Sequence, residues 1–290
     1  MTGSDGAMPM DADAGAVATP AELAADLGTA RTDAGPWRPA EGVPDVRVAT
    51  WADINDSIAD GISDLKANPT MSMGVGAVYA LGGIAIMYML DAGGLRALAF
   101  PLMAGFALIA PFVAVIFYEI SRRREHGQGF GTADIMPMVA HTARKQILYQ
   151  GFVMLFWLAF WVHIGWMQFA LFMGVRAELF WSVLGEMFTT SHGLGFLLMA
   201  HVTGAFFAAT AFAMSVITFP LLLDRDLDCV TAMITSFKTV MASPKVMLGW
   251  AAIIGLGLAA ASLPFFLGLI IVLPLLGHSS WHLYRRLVVE

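Results

Sequence analysis

The feature that most constrains this chain is a series of long apolar blocks, almost free of charge, between Met71 and His282. A helix rises about 1.5 Å per residue, so about 20 apolar residues cross a bilayer core of about 30 Å. Charged residues make up 13% of the chain and hydrophobic residues 58%, whereas soluble domains carry about 25% charged residues. We therefore predict an all-α polytopic membrane protein.

The number of spans depends on how the last apolar block is divided. A single helix from Val246 to Tyr284 would be about 58 Å long, nearly twice the bilayer core. Pro264 offers a place for a turn, so we predict two spans there. The six predicted spans are 72–90, 97–118, 148–172, 194–222, 246–262 and 265–283.

The charges of the connecting segments support six spans. With this division, eleven Lys and Arg residues between Lys66 and Arg286 lie on one side, and only Arg96 and Arg176 on the other. Cytoplasmic loops of membrane proteins carry an excess of Lys and Arg. We therefore expect both termini in the cytoplasm.

Two further segments have the periodicity of amphipathic helices. The first has apolar residues at spacings of three and four, with Thr50 as its N-cap and Asp53 at the capping-box position. The second repeats this pattern before Pro244. The first face consists of Trp51, Ile54, Ile58, Ile62 and Leu65. The second consists of Leu227, Val230, Met233, Ile234, Phe237 and Met241.

The two segments also share a register, which indicates an internal repeat. Asp53 and Asp228 each precede a proline, Pro69 or Pro244, by sixteen residues. A middle copy at residues 132–135 lacks the proline. We predict three hairpins of spans, each preceded by a cytoplasmic interfacial helix. The apolar face of each interfacial helix would lie on the cytoplasmic leaflet or pack on the cytoplasmic end of the bundle.

Residues 1–49 form an acidic tail that is rich in Ala, Gly, Asp and Pro. Such a composition cannot bury enough apolar surface to fold alone. We expect this tail to be disordered or ordered by a partner, and residues 50–290 to form the membrane domain. The net charge of −6 arises mostly in the tail, so we predict no nucleic-acid partner.

Three stretches resemble a bacterial family of six-span integral membrane proteins of unknown function, over about residues 50–288. They are the run from Phe219 to Asp228 with Ser236 and Ala242–Pro244, the ending Leu273–Tyr284, and the opening Asp64–Gly83. The resemblance implies the same topology in a bacterial inner membrane. It implies no activity, substrate or cofactor.

Histidines are the conspicuous polar residues within the spans, because no Asp, Glu, Lys or Arg lies in the middle of one. His163 and His201 fall at similar depth on spans that a short segment joins. They are a candidate ligand pair for haem or copper. The alternative is a structural hydrogen bond between helices, and we predict no cofactor.

A second candidate site is a polar cluster at the cytoplasmic end of the bundle. His278 and His282 are four residues apart and share one face of a helix. Its other predicted members are Asp224, Arg225, Asp226 and Asp228. Anchoring and capping are the expected roles of this cluster, and the sequence leaves open whether it holds a metal.

No catalytic motif accompanies these residues, so we expect no enzyme. The single cysteine, Cys229, excludes disulfides and CxxC sites within the chain. The sequence favours an accessory or assembly subunit of a larger membrane complex, such as a respiratory one, with the acidic tail as a candidate contact. The alternatives are a channel or transporter for a small neutral solute and a haem or copper carrier.

Overall fold

A computed structural model describes residues 43–94, 99–135, 137, 145–174 and 180–289. Within these ranges the protein is all-helical, as predicted. The predicted acidic tail, apart from residues 43–49, lies outside them. The helices are α1 (Trp51–Ala67), α2 (Pro69–Ala92), α3 (Ala99–Glu125), α4 (Lys145–Met173), α5 (Phe180–Thr189), α6 (Ser191–Ser215), α7 (Thr218–Asp224), α8 (Cys229–Ala242), α9 (Pro244–Ser262) and α10 (Leu269–Leu287).

Five segments of the described residues are long and apolar enough to cross a membrane, judged by length and composition. They are Pro69–Ala92, Gly105–Glu125, Gln146–Met173, Ser191–Asp224 and Pro244–Ser262. These five overlap the first five predicted spans. The residues of the sixth predicted span, 265–283, contribute instead to a turn and to helix α10.

Helix α10 differs from the five because its second half is polar. It carries His278, Ser279, Ser280, His282, Arg285 and Arg286. It begins at Leu269, after a turn in which Phe265 and Phe266 have φ angles of 50° and 63°. Most of α10 is buried, and it packs against α1, α2 and α3.

The two corners that precede α2 and α9 have the same backbone geometry. Asn68 has φ −134° and ψ 60°, and Ser243 has φ −144° and ψ 59°. Each is followed by the proline that opens the next helix, and proline excludes the helical conformation from the residue before it. These two corners are the positions at which the sequence predicts an internal repeat. The predicted middle copy begins with a helical turn at residues 132–135, and most of its continuation lies outside the described residues.

Helices α1 and α8 bury mostly polar and small side chains, and the faces that the sequence identifies as apolar are buried only in part, at Ile54 and Leu227. Helix α1 buries Asp53, Ile54, Ser57, Gly61 and Asp64, while Trp51 and Ile62 are exposed. Helix α8 buries Cys229, Ala232, Thr235, Ser236, Thr239 and Val240. Small side chains let helices approach closely.

Gly61 illustrates this close approach, because a Cβ atom there would lie 2.3 Å from Ser279 Oγ and 2.8 Å from Ser279 N.

Residues 43–50 are bound to the rest of the fold, although the sequence assigns most of them to the tail. Val46 pairs with Val288 in an isolated antiparallel bridge. Ala49 N donates to Ser243 Oγ over 2.6 Å. At the start of α1, Thr50 accepts from Asp53 N and the Asp53 side chain accepts from Thr50 N, as the predicted capping box requires.

Candidate functional site

A buried polar cluster lies where the ends of α1, α3 and α10 meet. Asp64, in the last turn of α1, accepts at Oδ2 from Ser121 Oγ over 2.5 Å and from His282 Nε2 over 2.7 Å. Its Oδ1 accepts from Arg124. The Asp64 side chain is 3% exposed, so these donors replace the water that the carboxylate has lost.

His278 connects this cluster to the first turn of α2. Its Nδ1 lies 2.8 Å from Ser121 Oγ, and its Nε2 lies 2.9 Å from Ser72 Oγ. Because the Ser121 proton points to Asp64, Ser121 can only accept from His278 Nδ1–H. His278 Nε2 must then accept the proton of Ser72, so the hydrogen bonds run in one direction from Ser72 to Asp64.

We define the Asp64 network as Ser72, Asp64, Ser121, Arg124, His278 and His282.

The helices place these side chains by simple spacing. His278 and His282 are one turn apart on α10 and point to the same side. Ser121 and Arg124 lie three residues apart near the end of α3, and so also share a face. Pro69 begins α2 directly after α1, so Ser72, in the first turn of α2, lies close enough to bind His278.

The electrostatics of the network favour an ionised Asp64. Burial by itself would raise the pKa of Asp64, because it disfavours the charged form. The hydrogen bonds from His282 and Ser121, the charge of His282 and the bond from Arg124 outweigh burial and lower the pKa of Asp64 to about 2. Asp64 is therefore ionised near neutral pH, and its negative charge is paired with the Arg124 guanidinium.

The other predicted members of the polar cluster occupy separate places. Asp224 accepts from Tyr284 Oη over 2.6 Å and from Arg285 over 3.3 Å. Arg225 donates to the carbonyl of Val289. Asp228 caps α8 by accepting from Thr231 N over 2.9 Å.

Asp226 is exposed in the connection between α7 and α8. The structure thus joins His278 and His282 to Asp64 rather than to these acidic residues.

His163 and His201 are both exposed on their helices, α4 and α6. His201 Nδ1 donates to the carbonyl of Leu197, one turn earlier in α6, over 2.7 Å. Gln168 Nε2 donates to Thr203 Oγ1 over 2.6 Å and links the same two helices. The haem or copper pair therefore stays a prediction.

Sequence reasoning missed four members of the Asp64 network: Asp64, Ser72, Ser121 and Arg124. The spacing Asp53, Ser57, Gly61, Asp64 marks one stripe of α1, and this stripe is the available signal. Interpreting it required knowing that α1 buries its small and polar face. Among the residues described, no group of three or more His, Cys, Asp or Glu is placed to hold a metal ion.

The arrangement supports positioning more than chemistry. Ser72 donates its proton to His278, as a serine nucleophile donates to its general base. However, neither Ser72 nor His278 has any exposed surface. A substrate cannot approach a fully buried hydroxyl without a movement of α1 or α10. The network links α1, α2, α3 and α10 through bonds between residues up to 218 positions apart.

A cavity of about 190 Å³ lies among α3, α6, α7, α9 and α10. We call it the interhelical cavity. Its walls are mostly apolar, and small residues create the space. The small residues that line it are Ala107, Ala110, Ala114, Ser215, Gly277 and Ser280.

Comparison with known proteins supports the membrane class and the resemblance seen in the sequence. No curated protein and no solved structure matches the chain. The motifs at residues 64–83 and 273–284 lie outside the part that does match a family model. Residues 99–224, from α3 to the end of α7, match the family described as a predicted integral membrane protein of unknown function (DUF2189), and over these residues the chain is similar to that family.

Proposed function

We propose that this protein is a non-catalytic integral membrane protein that supports the assembly of a larger membrane complex, such as a respiratory one. The observation that carries the proposal is an apolar stripe on the outer face of α8. Its members follow at spacings of three and four, and each is 43–61% exposed. They are Val230, Ile234, Phe237 and Met241. We call these four residues the α8 stripe.

Comparison of α8 with α1 favours a protein partner for the stripe. The two helices are repeats by register and by corner geometry, so they belong at a similar level relative to the membrane. The outer face of α1 carries exposed polar residues, including Asn55, Asp56, Ser63 and Lys66. Exposed polar residues of this kind need contact with water, so α1 and α8 belong at a level outside the bilayer core. An apolar stripe at that level is better covered by another subunit than by acyl chains.

The same reasoning supports the predicted topology of six spans with interfacial helices. Ser72 at the start of α2 contacts His278 near the end of α10, and Tyr284 of α10 contacts Asp224 at the end of α7. These ends therefore lie on one side. The excess of loop Lys and Arg predicts that this side is the cytoplasmic side of a bacterial inner membrane.

Non-catalytic character is part of the proposal. Ser72 and His278, whose hydrogen bonds are oriented as in a nucleophile site, have no exposed surface. The Asp64 carboxylate forms bonds with three side chains from α3 and α10. Such an arrangement suits the fixing of helix ends. It also supports α8, because Ala49, two residues before α1, donates to Ser243 at the α8–α9 corner.

The experiment is native purification followed by disruption of the α8 stripe. The tagged full chain should migrate in a native gel with defined subunits in fixed stoichiometry. Ile234→Asp and Phe237→Asp should release those subunits without lowering the melting temperature of the chain. Asn55→Asp, on the exposed face of α1, is the matched control. A wild-type chain that purifies as a lone monomer contradicts the proposal.

A transporter for a small neutral solute is the second candidate, and the interhelical cavity is the observation that favours it. Pro111 lies within α3 and Pro274 within α10, and proline removes a helical hydrogen bond where a helix lines a cavity. The mostly apolar walls suit a neutral solute. Uptake into vesicles that contain the purified chain tests this candidate.

The haem or copper carrier remains the third candidate. An absorption spectrum and metal analysis of the purified chain test it, and the absence of both a Soret band and stoichiometric copper would rule it out. His163→Ala and His201→Ala should each remove the signal if the two imidazoles are ligands.

A further inference from the structure

We infer that the outer face of α4 is a contact between two copies of this chain within the membrane, with His163 of one copy hydrogen-bonded to His163 of the other. This inference is independent of the assembly role proposed above, because it concerns a different helix. It rests on an exposed imidazole deep in a candidate span and on the spacing of the residues around it.

His163 lies on the side of α4 that faces away from α6. Trp157 Nε1 donates to the carbonyl of Phe207 over 3.1 Å, and Gln168 Nε2 donates to Thr203 Oγ1, so Trp157 and Gln168 mark the face of α4 that packs against α6. With 3.6 residues per turn, His163 is rotated from Trp157 by about 120° and from Gln168 by about 140° around the helix. It is exposed, and no hydrogen bond joins it to another described residue.

The depth of His163 makes this exposure unfavourable in lipid. The candidate span Gln146–Met173 has its middle between residues 159 and 160, about 5 Å along the helix from His163. The apolar core of a bilayer extends about 15 Å to either side of its middle, so the imidazole lies about 10 Å from the nearer edge of the core. Ionisable side chains at such depth almost always face protein or a water-filled cavity. We therefore expect protein to cover His163.

The residues around His163 follow the repeat of a helix–helix seam. Alternating steps of four and three residues, the spacing of a left-handed coiled coil, connect six residues of α4, of which five are exposed and Ala170 is partly exposed. We call them the α4 seam: Phe152, Phe156, Ala159, His163, Trp166 and Ala170. Ala159 and Ala170 lie about one and two turns from His163, and small side chains of this kind let two helices approach closely.

A second copy of the chain is the occupant that suits the α4 seam. A neutral imidazole has one donor and one acceptor, so two imidazoles are complementary to each other. Two copies inserted in the same orientation are related by a two-fold axis along the membrane normal, and this axis places each seam residue opposite its counterpart. A single polar residue in an apolar seam also fixes the register of the two helices.

Cysteine cross-linking of the full chain in native membranes tests the contact. Cys229, the only cysteine, is first replaced by Ser. Phe156→Cys and Ala159→Cys should then each form a covalent dimer on mild oxidation, because a disulfide requires two Cα atoms within about 7 Å. Val202→Cys is the matched control, since it occupies an exposed position of α6 next to His201 and should form little dimer.

Substitution of His163 tests the hydrogen bond between the copies. His163→Leu should weaken dimerisation in detergent about three- to twentyfold, the range for hydrogen bonds between membrane helices, as measured by analytical ultracentrifugation. His163→Asn keeps a donor and an acceptor and should retain most of the wild-type affinity. Both variants should preserve the melting temperature of the monomer, because His163 is exposed within one copy.

Cross-linking at Phe156 and Ala159 that does not exceed the cross-linking at Val202 overturns the inference. So does a His163→Leu chain that dimerises as tightly as wild type. Ile234→Asp and Phe237→Asp should leave the α4 cross-link intact whether or not they release other subunits, so the dimer and the assembly proposal can each fail alone.

Discussion

Replacing Asp64 with Asn is the sharpest test of the Asp64 network. The substitution keeps the shape of the side chain and removes its charge, so Arg124 and His282 lose their anionic partner. Removing one member of a buried ion pair costs about 3–5 kcal/mol. The Arg124 side chain is 43% exposed and can be solvated by water in part. We therefore expect a loss near the lower limit, about 3 kcal/mol.

Thermal unfolding of the detergent-solubilised chain measures this loss. A change of 1 kcal/mol shifts the melting temperature of a chain of about this size by roughly 2–4 °C, so Asp64→Asn should lower it by about 6–12 °C. Asp56→Asn is the matched control, because it makes the same change at an exposed position of the same helix. A melting temperature of Asp64→Asn within about 2 °C of the control would refute the reasoning.

The dependence on pH gives a second measurement of the same interaction. The pKa of Asp64 is lowered to about 2 in the folded state, from the ordinary value of 3.8 for an aspartate. The folded state therefore binds this proton more weakly than the unfolded state. The resulting stabilisation is fully present above about pH 4 and is lost as the pH falls toward 2. Wild type should lose stability more steeply than Asp64→Asn over this window.

Three further predictions concern single residues. Gly61→Ala should destabilise the chain by about 2 kcal/mol or more, because the new Cβ meets the backbone and side chain of Ser279. Gly74→Ala, which meets nothing within 4 Å, should leave the melting temperature unchanged or raise it. Asp228→Ala should cost about 1 kcal/mol through loss of the α8 cap, measured in the same assay. Cys229 is buried, and burial and the charge of Asp228 raise the pKa of its thiol to about 11, so maleimide should label it only after denaturation; rapid labelling of the folded chain would contradict this packing.

The helix positions follow from the sequence because apolar length is a local property. Five of the predicted spans overlap helices that are long and apolar enough to cross a membrane. The prolines at residues 69 and 244 mark the start of α2 and α9 as expected, because proline is accepted in the first turn and restricts the residue before it. Thr50 with Asp53 also identifies the start of α1 correctly.

The buried faces of α1 and α8 could not be identified in this way. In a soluble protein the apolar face is the buried face. In α1 and α8, close packing of small residues rather than apolar character decides which face is buried. Ser57 and Gly61 of α1 and Ser236 of α8 are therefore buried, while Phe237 and Met241 of α8 are exposed.

The sequence by itself determined the membrane class, the helix positions and the repeated corners, because these depend on residues close together along the chain. Only the tertiary structure decided that His278 lies between Ser72 and Ser121, which are 206 and 157 positions away. It also decided that His278 and His282 join Asp64 rather than the acidic residues after α7. The physical reason is that a buried charge must find its partners in space, and the packing of α10 against α1 and α3 chooses them.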